Sequence, residues 1–147
     1  MLFYLCACGG RAEFENSSHS DEISGIIIEC FNDEDVEGML EIFCPFVQEM
    51  DKLEDEINDA FDYIEGEIIS YNSVYYGSDG SIQDGKWRIK RDQTEIREII
   101  TDRDETYIIK FSEYIIYNDD EQKEGVYFVQ LRDSEYNVLC TIGDYMD

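Results

Sequence analysis

The sequence predicts an α+β domain in which helices come first and an antiparallel meander follows and packs against them. Two observations carry this. Between Asp21 and Ile64, apolar residues recur every three or four positions, the spacing that lines one face of a helix. After Gly66 the spacing drops to two, and the segments fill with β-branched and aromatic residues bounded by Gly and Asn-Asp turns. Helices and strands segregated in this way form a sheet with helices on one face.

The elements follow in order. Residues 9–20 (GGRAEFENSSHS) have the Gly, Ser and Asn chemistry of a flexible tether. Ser20 is placed to cap a first helix carrying Ile23, Ile26, Ile27, Cys30 and Phe31 on one face. Asn32 to Asp35 break that pattern. Val36, Met39, Leu40 and Phe43 form a second short stripe, and Pro45 suits the first turn of a third helix. That third stripe runs Phe46, Met50, Leu53, Ile57, Phe61, Ile64 and ends at Gly66. A first strand, GEIISYNSVYYGSDGS, is predicted to close in a hairpin at Gly77 and Asp79-Gly80. KWRIKRDQTEIREIIT reads as one long or bulged strand. ETYIIKFSEYIIYN places Tyr107, Ile109, Phe111, Ile115 and Tyr117 on one parity. After the turn NDDEQKEG come VYFVQLRD and YNVLCTI. The core domain is thus expected over 21–147.

Length and composition set limits on function. The chain has 147 residues, the size of one domain, and 43% hydrophobic residues, enough for a packed core. Its charge is extreme: 36 Asp and Glu against 11 Lys and Arg, a net of −25. Direct binding to a nucleic acid backbone is disfavoured because no basic surface exists to displace its counterions. Electrostatic attachment to anionic lipid fails for the same reason. The charge can instead attract cations or a basic partner, imitate nucleic acid toward a DNA-binding protein, or keep a surface unaggregated by self-repulsion. Cys30, Cys44 and Cys140 cannot all pair among themselves. With no C-x-x-C pair and His19 as the one histidine, a zinc site is not expected. Asp33-x-Asp35-x-Glu37-Gly38 opens like a calcium loop, but Cys44 stands where a bidentate Glu is required. No cofactor is expected. No apolar stretch reaches the length of a membrane-spanning helix.

The amino-terminal stub carries a sharper motif. Leu5-Cys6-Ala7-Cys8 matches a bacterial lipobox: an apolar residue three before the thiol, a small one just before it, then Gly9-Gly10 as tether. Residues 1–7 then read as a truncated signal-peptide remnant, since they lack the basic start and full apolar run of an export signal. Cys8 is the lipidation candidate, with residues 8–20 as the lipidated Cys and tether. The alternative is an N-terminal strand buried in the fold.

FDYIEGEIISYNSVYYGSDGSIQDGKW followed by YIIKFSEYIIYNDDEQKEGVYFVQLRD supplies three segments: F-x-x-x-x-G-E-I-x-S-Y, G-x-x-x-S-I-x-D-G-K and G-x-Y-x-x-x-L. In these the chain resembles the bacterial lipoprotein family called domain of unknown function 5104, over roughly residues 20–133. The resemblance implies a nuclear-transport-factor-2-like cone, a curved sheet wrapped on helices, and a location outside the cytoplasmic membrane. It implies no catalytic residues. Enzymes of that fold often work with an Asp or His at the cone's floor. Here His19 falls in the predicted tether, where solvent would surround it, so the body lacks a histidine base.

Carboxylates remain. Glu113 lies on the otherwise apolar parity of its strand, where a lone acid serves as a base, binds a cationic ligand, pairs with Arg132 or Lys110, or is turned outward by a bulge. Tyr107, Tyr117 and Trp87 belong to an aromatic-rich strand half that either lines a pocket with Glu113 or simply favours strands. The expectation is an extracytoplasmic lipoprotein, held to the bacterial membrane through lipid on Cys8. Its non-enzymatic domain would bind a small molecule, peptide or envelope protein. An isomerase or dehydratase using a pocket carboxylate, and an acidic mimic of nucleic acid, are the alternatives.

Overall fold

A computed structural model describes the backbone of residues 2–146 and the side chains of residues 17–146. Four helices, α1 (Leu2–Asp33), α2 (Val36–Ile42), α3 (Pro45–Gln48) and α4 (Leu53–Tyr63), precede five strands. These are β1 (Ile68–Gln83), β2 (Lys86–Thr101), β3 (Thr106–Tyr117), β4 (Gly125–Asp133) and β5 (Val138–Gly143). Each strand pairs antiparallel with its sequence neighbour, in the order β1-β2-β3-β4-β5. The helices cover one face of this open sheet. The predicted α+β class holds, and the arrangement is consistent with a cone.

The core lies between the layers. Ile27 of α1, Met39 of α2, Val47 of α3 and Ile57 of α4 are fully buried against Ile96, Ile109, Val126 and Leu131 of the sheet. Phe31 and Phe61 meet edge to face with ring centres 5.1 Å apart, joining α1 to α4. Each such side chain contributes roughly 1.5–3 kcal/mol on leaving water. Asn32 at the end of α1 bonds both backbone groups of Ile68, accepting at 2.8 Å and donating at 3.1 Å, so helix end and sheet start are fixed together.

Three features differ from the sequence expectation. The third helix is two. Cys44 N–H donates to Val126 O, and Gln48 Nε2 donates to Leu40 O and Phe43 O, tying α3 to β4 and α2. The chain must then turn through Met50–Lys52 before α4 can begin. The hairpin turn is Asp84-Gly85, with φ of 55° and 77°, between paired Gln83 and Lys86. Asp79-Gly80, the turn expected from the sequence, lies inside β1. A Cβ on Gly80 would come within 2.0 Å of Ile89 O, so its glycine serves a close strand approach. Finally, residues 9–20 belong to α1, and Ser20 is no N-cap: it is buried within the helix and shares a 2.8 Å hydrogen bond with Thr94 of β2.

Cys30, Cys44 and Cys140 are free thiols. Among the described residues, no helix is long and apolar enough to cross a membrane. The side chain of Cys8 lies outside the described residues.

Candidate ligand-binding site

Strand register brings two carboxylates together. Asp92 of β2 pairs with Glu113 of β3, and Ser78 of β1 sits opposite Asp92. Paired residues point to the same side of a sheet. Thr94 opposite Phe111 and Ile96 opposite Ile109 show that this side faces the helices. The apolar core thus ends in a polar patch. Asp92 is buried and accepts a hydrogen bond from Ser78 Oγ, which is 3.0 Å from the Tyr75 hydroxyl.

Glu113 is closed from the other side by His19. The imidazole Nε2 lies 2.8 and 3.0 Å from the two carboxylate oxygens, a chelating contact from α1 to β3. The Glu113 side chain is 14% exposed and that of His19 42%, so the pair faces solvent through the imidazole. Burial raises the Glu113 carboxyl above the ordinary 4.5, the His19 contact opposes this, and the Asp92 charge adds to the rise. Below the pair, Ser20 meets Thr94 and Ser24 meets Ser73, each at 2.8 Å. Small hydroxyl side chains let α1 lie close to β1 and β2 while keeping every buried oxygen bonded.

This corrects the sequence reading of His19, which is a helical residue that closes over the sheet. It also corrects the expected partners of Glu113. Lys110 pairs in register with Glu95, and Arg132 Nε and Nη2 donate to Gln130, both away from Glu113. His19 and Asp92 were missed as site residues. A signal for each was present. Ser20, Ser24, Ile27 and Phe31 continue the α1 stripe backward at helical spacing once serine is allowed on a buried face. Asp92 shares its parity with Thr94 and Ile96.

The predicted aromatic companions lie elsewhere. Tyr107 is at the far end of β3, its hydroxyl donating to Tyr63 O at 3.2 Å and bonded to Glu105. Burial, with that carboxylate beside it, pushes its phenol up to about 12. Trp87 lines a shallow hollow at the β1–β2 hairpin with Arg88 and Asp119. Tyr117 stacks edge-on to Tyr114 with ring centres 5.0 Å apart, and Lys123 Nζ lies 5.1 Å from its ring centre. Glu113 therefore gathers His19, Asp92 and Ser78 rather than these three. Among the described residues, no three His, Cys, Asp or Glu side chains could hold a metal ion.

Four helices on one face of a five-stranded antiparallel meander, with a His–Glu pair where helix meets sheet, define a small α+β domain. The chain belongs to the family described as domain of unknown function (DUF5104), whose profile matches residues 26–137. That match takes in Glu113 and Asp92 and stops short of His19. No curated protein matches the chain.

Proposed function

We propose that this is a non-enzymatic binding domain, displayed outside the cytoplasmic membrane as a lipoprotein through Cys8. Its ligand is a small molecule or peptide carrying a cationic or hydrogen-bond-donating group. The observation supporting this is the pair of adjacent carboxylates, Asp92 and Glu113, on the helix-facing side of the sheet, with no Lys or Arg among the described residues bonded to either. Two acids side by side, Asp92 buried and Glu113 partly so, repel each other, and a donor group entering beside His19 relieves that repulsion. Thermal-shift screening against amines, amino acids and short peptides tests the reading. The expected result is a compound that stabilises the wild type and not Glu113→Gln. A screen in which every hit stabilises both proteins equally overturns it. Detergent-phase partitioning of the native protein, lost in Cys8→Ser, tests the anchor separately.

One observation favours a second reading. A chelated His19–Glu113 pair is an acid/base couple, the part an isomerase or dehydratase needs. It predicts deuterium uptake from D2O into a bound carbon acid, abolished in His19→Gln with ligand affinity retained.

A further inference from the structure

A groove with an apolar floor and an acidic rim lies between α1 and α2. Ile23, Ile26 and Cys30 of α1 and Ile42 of α2 form its floor, and it encloses about 470 Å3. Its rim is wholly acidic: Glu29 and Asp33 stand one helical turn apart on α1, facing Asp35, the N-cap of α2, and Glu41 of α2. The helices can approach this closely because residue 38 is glycine: a Cβ there would sit 2.5 Å from Asp35 Oδ2 and 3.0 Å from Cys30 Sγ.

None of the four rim acids is in an ion pair with a described residue. Residues 17–51 contain ten Asp and Glu and no Lys or Arg, so this part of the chain supplies no counter-charge. The Cys30 thiol registers the same field. Burial and then Asp35, Glu29, Asp33 and Glu41 push it up to about 11.

We infer that this groove docks a basic amphipathic helix of a partner protein. Apolar residues three and four apart would enter between Ile23, Ile26 and Ile42, while Lys or Arg on either side meets the two acidic walls. The occupant is set by charge complementarity. An acidic apolar partner would add repulsion at both rims, and an anionic membrane would do the same. This site is distinct from Glu113, so either proposal can fail alone.

The test uses a fluorescein-labelled 14-residue Leu/Lys peptide patterned as an amphipathic helix, read by anisotropy. Binding is expected at 50 mM NaCl and weakens about tenfold or more by 300 mM. The double reversal Glu29→Lys/Asp33→Lys, at two exposed positions, weakens it about tenfold or more, whereas Glu54→Lys/Asp55→Lys on α4, with the same net charge, changes it less than about twofold. A peptide with Ser for Leu does not bind. Equal losses from the two reversals mean attraction to net charge alone and overturn the inference. So does retained binding by the Ser peptide. Sedimentation showing a dimer of the chain that Glu29→Lys/Asp33→Lys dissolves would assign the groove to a second copy and overturn it as well. Amide chemical shifts that move on peptide addition should map to residues 23–42; a map elsewhere overturns it even if affinity behaves as expected.

Discussion

The helical layer and the sheet are both acidic, but they handle charge differently. Residues 17–64 carry 15 Asp and Glu against Lys52 alone, while residues 65–147 carry 19 against nine Lys and Arg. In the sheet half, four of the nine cations pair with acids locally. Arg91 forks onto Asp79 at 2.8 and 2.9 Å, Arg97 reaches Glu95 at 2.9 Å, Arg103 reaches Glu65 at 3.2 Å, and Arg88 meets Asp119. Among the described residues the helical layer has no such partners, and His19 is its one contribution to an ion pair with the sheet. Charge balanced within the fold is architecture. Charge left unbalanced on a grooved surface is available to something outside it.

The two layers nevertheless share one core, so the largest effect should not respect the division. Ile109→Ala removes a fully buried side chain at the centre of the sheet's inner face. It should cost about 2–5 kcal/mol, read as a lower urea midpoint, with helix and strand signals lost together. Separate transitions for the two layers would break the picture of a single cooperative unit. A smaller loss is expected from Asp35→Ala. Asp35 Oδ1 accepts from Gly38 N–H at 3.0 Å and caps α2, so its removal should cost about 1 kcal/mol. Because it also removes one rim acid, peptide affinity at the α1–α2 groove should fall in the same variant.

Glu113→Gln probes the one contact through which, among the described residues, the layers pair charge. A carboxyl whose folded pKa lies above its unfolded value binds its proton more tightly when folded. The Glu113 contribution to wild-type stability therefore declines as pH climbs from the ordinary 4.5 through the raised value, and the Glu113→Gln variant, with no proton to release, would lack that decline. At pH 4 the variant should be no more stable than wild type. By pH 7.5 its melting temperature should gain relative to wild type by about 1–2 °C, the lost His19 bond offsetting the rest. An unchanging difference from pH 4 to 8 would show that His19 fully compensates burial.

Most of the fold was legible because it rests on periodicity. The switch at Gly66 from a spacing of three and four to a spacing of two separates α4 from β1 in the structure as in the sequence. What failed was local. Asp79-Gly80 and Asp84-Gly85 are equivalent as dipeptides, and only pairing with β2 decides which one turns. Gly9-Gly10 and the serines before Asp21 argue for a tether by composition, yet Ser20 and Ser24 hold helical positions by bonding to Thr94 and Ser73 across the layers. The site was half legible. Glu113 stood out as an acid on an apolar parity, but its partner is 94 residues away, and no spacing rule joins them.

The smallest expected effects sharpen the contrast between the layers best. Arg103 and Glu65 are both more than half exposed, so Arg103→Gln should change stability by less than about 0.5 kcal/mol, and downward. Glu29→Gln on α1 removes an acid facing Asp33, Asp35 and Glu41, and should raise stability by a few tenths of a kcal/mol, roughly the size of a like-charge pair one helical turn apart. Both shifts should shrink toward zero in 0.5 M NaCl, where a screening length of roughly 4 Å suffices to silence exposed charges. Opposite signs at low salt, measured by urea melts, mean that the sheet's charges are matched and the helical layer's are not. If Glu29→Gln proves destabilising, the rim acids are held by contacts within the fold, and the groove has no charge to offer a partner.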